Sequence, residues 1–176
     1  TAEKWFSQIL AFQDAPTYLI RCSYNRGRWT EAIERSDVYL KQFPQHSDAP
    51  EWLLYEARAL RKMDKLEEAK EKYLYISKKY KNYAKTDDIL WFLALLEEGE
   101  GHFKKAAGFY HKLFSHYPNS SSALESRYRY ALMQIILNHK AKAEKTLLEL
   151  SRFDHEFLDD TLYWLARMSN SPEMRD

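Results

Sequence analysis

Four short stretches decide how this chain is read: Gly27-Arg-Trp29-Thr-Glu-Ala32, Asp64-Lys-Leu66-Glu-Glu-Ala69, Gly101-His-Phe103-Lys-Lys-Ala106 and Asn138-His-Lys140-Ala-Lys-Ala143. Each runs turn-former, polar residue, bulky residue (Lys140 in the fourth), two variable positions, alanine. The alanines stand at 32, 69, 106 and 143, a constant spacing of 37. Self-similarity at a fixed period of this size marks stacked repeats, each burying its apolar face against its neighbours.

Other positions keep the same register. Four residues past the alanine come Tyr73, Tyr110 and Leu147, with Ser36 as the exception; seven past come Tyr39, Ile76, Leu113 and Leu150. That spacing is one face of a helix. Twelve past stand Pro44, Lys81, Pro118 and His155, where the helix stops, and twelve before stand Ile20, Ala57, Ala94 and Ala131 in a second apolar-periodic segment. Each unit therefore reads as helix A, a short turn, helix B and a longer turn. Small residues at the crossing let the two backbones approach closely, and Trp29, Leu66 and Phe103 are predicted to plug the hairpin end. The longer turns begin new helices: Pro50 suits a first helical position, and Ser122 with Glu125 fits a capping box.

Composition agrees with an all-helical chain. Only 4 Gly and 5 Pro occur among 176 residues, too few for the turns of an all-β fold. With 27 Lys and Arg against 26 Asp and Glu, the formal net charge is +1, which lacks the basic balance of a nucleic-acid binder. Apolar runs such as Ile89–Leu96 are too short to span a bilayer, so no direct membrane insertion is expected. Cys22 is alone, excludes an intrachain disulfide, and reads as a buried small hydrophobe. Thr1 in place of an initiating Met, with no signal-peptide pattern, points to a processed or excised chain.

Gly101, Phe103, Ala106, Tyr110 and Pro118, with Ala94 before them, resemble the tetratricopeptide-repeat (TPR) signature nearly position for position. That family's usual period is about 34 residues; the extra length here falls in the inter-unit turns 44–50 and 118–123. The resemblance covers about 20–155 and is weakest in the fourth unit, where Lys140 and Arg127 replace the usual bulky residues. It implies an all-α, TPR-like α-solenoid, a right-handed superhelix of antiparallel helix pairs with about ten helices. The predicted organisation is a single solenoid over 1–169: a half unit 1–13, units 14–48, 49–85, 86–121 and 122–158, and a half unit 159–169, followed by a polar tail 170–176. The half units rest on Trp5–Pro16 overlaying Tyr39–Pro50, and on Asp160–Ala166 overlaying Asp88–Ala94. Neither end is polar-faced, which suggests a piece of a longer array and possible self-association through uncapped ends.

No catalytic constellation is present: no Gly-rich phosphate loop, nucleophile elbow, zinc-protease helix motif or cysteine pair. The six histidines (46, 102, 111, 116, 139 and 155) show no metal spacing and read as solvent-exposed. Most carboxylates form i, i+4 pairs with bases, such as Glu31–Arg35 and Glu68–Lys72. The chain is therefore read as non-enzymatic, with no cofactor, no metal and no catalytic residue.

The family resemblance implies a concave groove lined by helix A residues at the fifth, ninth and twelfth positions. By register these are Thr17, Arg21 and Tyr24; Leu54, Arg58 and Arg61; Trp91, Leu95 and Glu98; and Tyr128, Leu132 and Ile135. The partner-binding candidates are Arg21, Tyr24, Leu54, Arg58, Arg61, Trp91, Leu95, Tyr128 and Leu132. They describe a groove basic at one end and aromatic-apolar at the other, suited to a protein or peptide partner with acidic and apolar anchors. The competing reading makes the apolar half core and pairs the arginines with local acids. The family's carboxylate clamp is not matched, since Thr17 and Arg21 hold its first two places.

The turn Pro118–Ala123 resembles repeats of bacterial envelope proteins of the BamD-type and Tol–Pal-associated kinds, which favours the periplasm or cell envelope over the cytoplasm. The sequence thus points to a protein-binding scaffold or adaptor in an envelope complex. The alternatives are the non-catalytic solenoid of a larger enzyme such as a lytic transglycosylase, or an end-to-end self-assembly module.

Overall fold

A computed structural model describes residues 15–170. The predicted helix of 1–13 and the tail beyond Asn170 lie outside the described residues. Among those described, the chain holds nine helices and no strand: α1 (Ala15–Asn25), α2 (Trp29–Gln42), α3 (Ala49–Lys62), α4 (Leu66–Lys79), α5 (Thr86–Gly99), α6 (Phe103–His116), α7 (Ala123–Ile136), α8 (Lys140–Leu150) and α9 (Leu158–Asn170). The chain divides into two compact units, Thr1–Tyr83 and Ala84–Asp176. In the first, α1 packs on α2 and α3, α2 on α3, and α3 on α4; in the second, α5 through α9 each pack on the next.

The alanine register places the core. Ala32, Ala69, Ala106 and Ala143 are fully buried, as are Ile20, Ala57, Ala94 and Ala131 on the facing helices. One turn further along each B helix, Tyr73, Tyr110 and Leu147 are fully buried too. Ser36 holds this place in α2, and its hydroxyl donates to the Ala32 carbonyl at 2.9 Å and reaches the Trp52 carbonyl at 3.2 Å. A polar side chain is tolerated there because both its neighbours are backbone acceptors.

The short A-to-B turns share one backbone device. Gly27, Asp64, Gly101 and Asn138 all have positive φ (73, 61, 75 and 57°). The residue after each donates its N–H back to the helix A carbonyl five residues earlier: Arg28 to Ser23, Lys65 to Leu60, His102 to Glu97 and His139 to Gln134, at 2.8–3.0 Å. This is the Schellman closure of a helix C-terminus, which requires a left-handed residue and therefore selects Gly, Asn or Asp.

Several expectations are corrected. Leu66 is 40% exposed and plugs nothing, whereas Trp29 and Phe103 are half-buried. Cys22 is exposed, because α1 turns it away from the α2–α3 contact that encloses Ile20 and Ser23. Ser122 caps α7 without a side-chain hydrogen bond, so the capping box with Glu125 does not form; Glu125 instead accepts from Arg129 at 2.8 Å. His46 and His155 are half-buried, since each ring nitrogen accepts a backbone N–H within an inter-unit turn, from Asp48 at 3.1 Å and Phe157 at 3.0 Å.

Candidate functional site

In the first unit, residues from α1, α3, α4 and the turn after α4 converge. Tyr24 meets the Tyr55 ring edge-on at 5.5 Å, and the Arg58 guanidinium lies 5.8 Å from the Tyr55 centroid. Arg21, one turn before Tyr24, stacks over Tyr18 at 4.7 Å while its charge acts on Tyr55. The Arg61 guanidinium acts on the buried Tyr73 phenol. Burial pushes the Tyr73 phenol up to about 12, against the charges of Arg61 and Arg58, which pull it down. The Tyr83 hydroxyl donates to the Glu51 carboxylate, and burial followed by that bond raises its pKa. Arg21, Arg58 and Arg61 thus act on the tyrosines gathered here, with Glu51 held by Tyr83.

Two predicted groove positions of this unit belong elsewhere. Leu54 is fully buried, so the expectation that it lines a partner site is corrected: it is core. Thr17 accepts the Trp52 indole N–H at 2.7 Å and donates to Asp48 at 2.7 Å, tying α1 to the start of α3. The contributions of Glu51, Tyr55 and Tyr83 were missed. Tyr55 carries a local signal, standing one turn before Arg58; Tyr83 carries none, since its carboxylate partner is 32 residues away.

The second unit arranges the same register differently. The Tyr110 hydroxyl donates to Glu98, and burial, then that bond, raises its pKa. Arg129 donates to Glu98 at 3.1 Å and to Glu125 at 2.8 Å, with its guanidinium 5.6 Å from the Trp91 ring. Tyr128 is 9% exposed and stacks on Phe157 at 5.1 Å, which corrects its reading as a groove residue. Trp91, Leu95 and Leu132 are half-buried, with Trp91 5.7 Å from Tyr110 and Leu132 against the cores on both sides of α7. In the apolar half of the predicted groove Tyr128 is core, and a Glu98–Arg129–Glu125 chain joins α5 to α7. Arg129 was not foreseen.

Among the described residues, Glu97, Glu100 and His102 bring carboxylate and imidazole atoms within 4.8 Å of one another. Sequence spacing gave no hint of this group. The His102 ring nitrogen lies 2.9 Å from Glu97 and 3.0 Å from Glu100. One repeat later, His139 makes the same bond to Gln134 at 2.8 Å. The shared geometry assigns the pair to closing the A-to-B turn, where side chain follows the backbone bond between the same two residues.

The pairing of Lys72 is also corrected. Instead of Glu68 on its own helix, Lys72 meets Glu56 of α3 at 2.6 Å. Glu56 has 4% side-chain exposure, and burial raises its pKa while Lys72 opposes the rise.

This geometry defines a chain of helix pairs with the TPR-like α-solenoid fold. No family model matches it, and no curated protein does. Solved structures do. It is similar to a tetratricopeptide repeat protein from Parabacteroides merdae, at 18% identity and a TM-score of 0.71, over 92% of this chain and 63% of that one. It is also similar to the nearly identical TPR-like repeats of a kinesin light chain from Podosopora anserina, at 15% identity and a TM-score of 0.62, over 92% and 87% of the two chains. MamA from Desulfovibrio magneticus RS-1, residue 41 to the end, matches at 13% identity and a TM-score of 0.62, over 90% and 97%. The chain thus spans less than two thirds of the Parabacteroides protein. No helix among the described residues is long and apolar enough to cross a membrane.

Proposed function

We propose that this chain is a non-enzymatic protein-binding scaffold whose first unit takes an acidic segment of a partner on the Arg21–Arg58–Arg61 face. The carrying observation is the gathering of guanidiniums on tyrosines at that face: Arg21 over Tyr18, Arg58 beside Tyr55, and Arg61 acting on Tyr73. Arginine over tyrosine favours planar anionic groups, since the guanidinium offers a rigid fork of donors while the ring supports its face. Tyr24 supplies apolar area beside it. Placement in a bacterial envelope complex rests on the style of the inter-unit turns.

The test is Arg58→Glu combined with Arg61→Glu. Helicity should be kept, because both arginines are only half-buried, and the proteins that co-purify with the wild type should be lost. An unchanged set of co-purifying proteins, quantified against the wild type, would sink the assignment.

A further inference from the structure

The turn between α5 and α6 carries more than its backbone needs. All four A-to-B turns close through the same bond, in which the residue after the left-handed position donates to the carbonyl five residues earlier. The first two turns make that bond between Arg28 and Ser23 and between Lys65 and Leu60, so closure asks for no particular side chain. The fourth adds one side-chain bond, His139 to Gln134 at 2.8 Å, with Leu137 at the place between them. The third turn sets Glu97, Glu100 and His102 at these three places. A carboxylate stands where the fourth turn has an amide, and a second carboxylate stands where it has a leucine.

The three side chains converge on one point. The His102 Nδ1 lies 2.9 Å from Glu97 and 3.0 Å from Glu100, and one ligand atom from each residue falls within 4.8 Å of the other two. A ring N–H aims at one acceptor at a time, whereas a metal ion meets all three donors at once. Zinc bonds of about 2.0–2.2 Å at tetrahedral angles set neighbouring ligand atoms roughly 3.3–3.6 Å apart. His102 already stands within about half an ångström of that spacing from both carboxylates. Rotation of the Glu100 side chain, which is 27% exposed, closes the remaining side of the triangle.

Charge and access agree with this geometry. Glu97 has 4% side-chain exposure and His102 has 50%, so the point is anchored on its inner side and open to solvent on its outer side. A buried carboxylate is costly without a positive partner. Lys105 supplies one at 3.7 Å, from a side chain that is 62% exposed and long enough to swing clear of an arriving ion. One imidazole nitrogen with two carboxylates suits zinc and its first-row neighbours, whereas magnesium and calcium prefer sites built from oxygen alone.

We infer that Glu97, Glu100 and His102 form a zinc-type divalent metal site that clamps the end of α5 to the start of α6. The three side chains supply three positions of a tetrahedron, and water from the open side supplies the fourth. The bond between His102 and Glu97 closes the turn in the ion-free protein, and the ion takes over that role when it binds.

Isothermal titration of the untagged chain with zinc chloride and with magnesium chloride tests this. Zinc should occupy one tight site per chain and raise the melting temperature, and magnesium should do neither. Glu97→Gln with Glu100→Leu copies the fourth turn, and so keeps a closure that this fold already uses. It should weaken zinc binding at least about tenfold, since losing a residue that merely supports a ligand already costs about 10–100-fold. His102→Lys, which copies Lys65 of the second turn, should weaken it as much. Glu100→Leu alone, at a partly exposed place, should have the same effect and carries the test if the other variants fail to fold. No zinc binding by the wild type, magnesium bound as tightly as zinc, or full zinc binding by any of the folded variants would each overturn the inference.

Discussion

Arg61 and Glu98 occupy the same place in successive repeats, 37 residues apart, and each meets the buried tyrosine of its helix B. In the first unit Tyr73 faces a cation, and Arg58 acts on it as well. In the second unit Tyr110 faces an anion, and Arg129 closes the charge between Glu98 and Glu125. The backbone is the same in both, so register alone does not tell a docking surface from an internal tie. What differs between them is the sign of the charge that the buried tyrosine meets.

The largest expected effect tests the part of the comparison that should not differ. Ile76 and Leu113 are equivalent and fully buried, so Ile76→Ala and Leu113→Ala should each cost about 2–5 kcal/mol in urea unfolding. A difference between them beyond about 2 kcal/mol would break the equivalence of the two cores.

Exchanging charges comes next. Glu98→Arg removes the acceptor of Tyr110 and sets two guanidiniums together, and should cost about 1–3 kcal/mol. The mirror change, Arg61→Glu, offers Tyr73 an acceptor and should cost under about 1 kcal/mol. Equal losses in the two variants would remove the distinction between tie and docking face.

The turns give a smaller effect of opposite signs. Gly101→Ala puts a β-carbon on a residue at φ +75° and should cost about 1–2 kcal/mol. Asp64→Gly relieves φ 61° and should gain about 0.5–1 kcal/mol. Thermal melts of both variants would show whether the turns of the two units are as alike as their hydrogen bonds.

The smallest effect lies in pH dependence. Burial raises the Glu56 pKa above its ordinary 4.5, so the folded state holds that proton more tightly than the unfolded one. Its contribution is fully present below the ordinary value and is lost as pH rises through the folded one. Glu56→Gln should flatten that part of the stability–pH curve, while changing neutral stability by under about 1 kcal/mol. An unaltered curve would place Glu56 in solvent-like surroundings.

How much was legible follows from the range of each interaction. The alanine at the crossing, the tyrosine or leucine one turn on, and the left-handed turn residue all act within one helix hairpin. Their requirements recur every 37 residues and can be read along the chain. Lys72 shows where such reading stops: Glu68 is its neighbour on the helix surface, but Glu56 across the A–B contact holds it at 2.6 Å. Leu54 and Arg58 sit one turn apart on the same face of α3, yet the first is enclosed and the second is only half-buried. Their difference depends on how far each neighbouring helix extends, which no local spacing records. Arg129 and Glu98 are 31 residues apart, and nothing short-range announces the bond.

By itself, then, the sequence determined the helix pairs, their period and the small-residue crossings, because burying an apolar stripe on a helix demands a regular spacing. Only the tertiary structure decided which of the equivalent side chains answer one another. Charge pairing depends on side chains from different helices, whose distances exist only once those helices have packed.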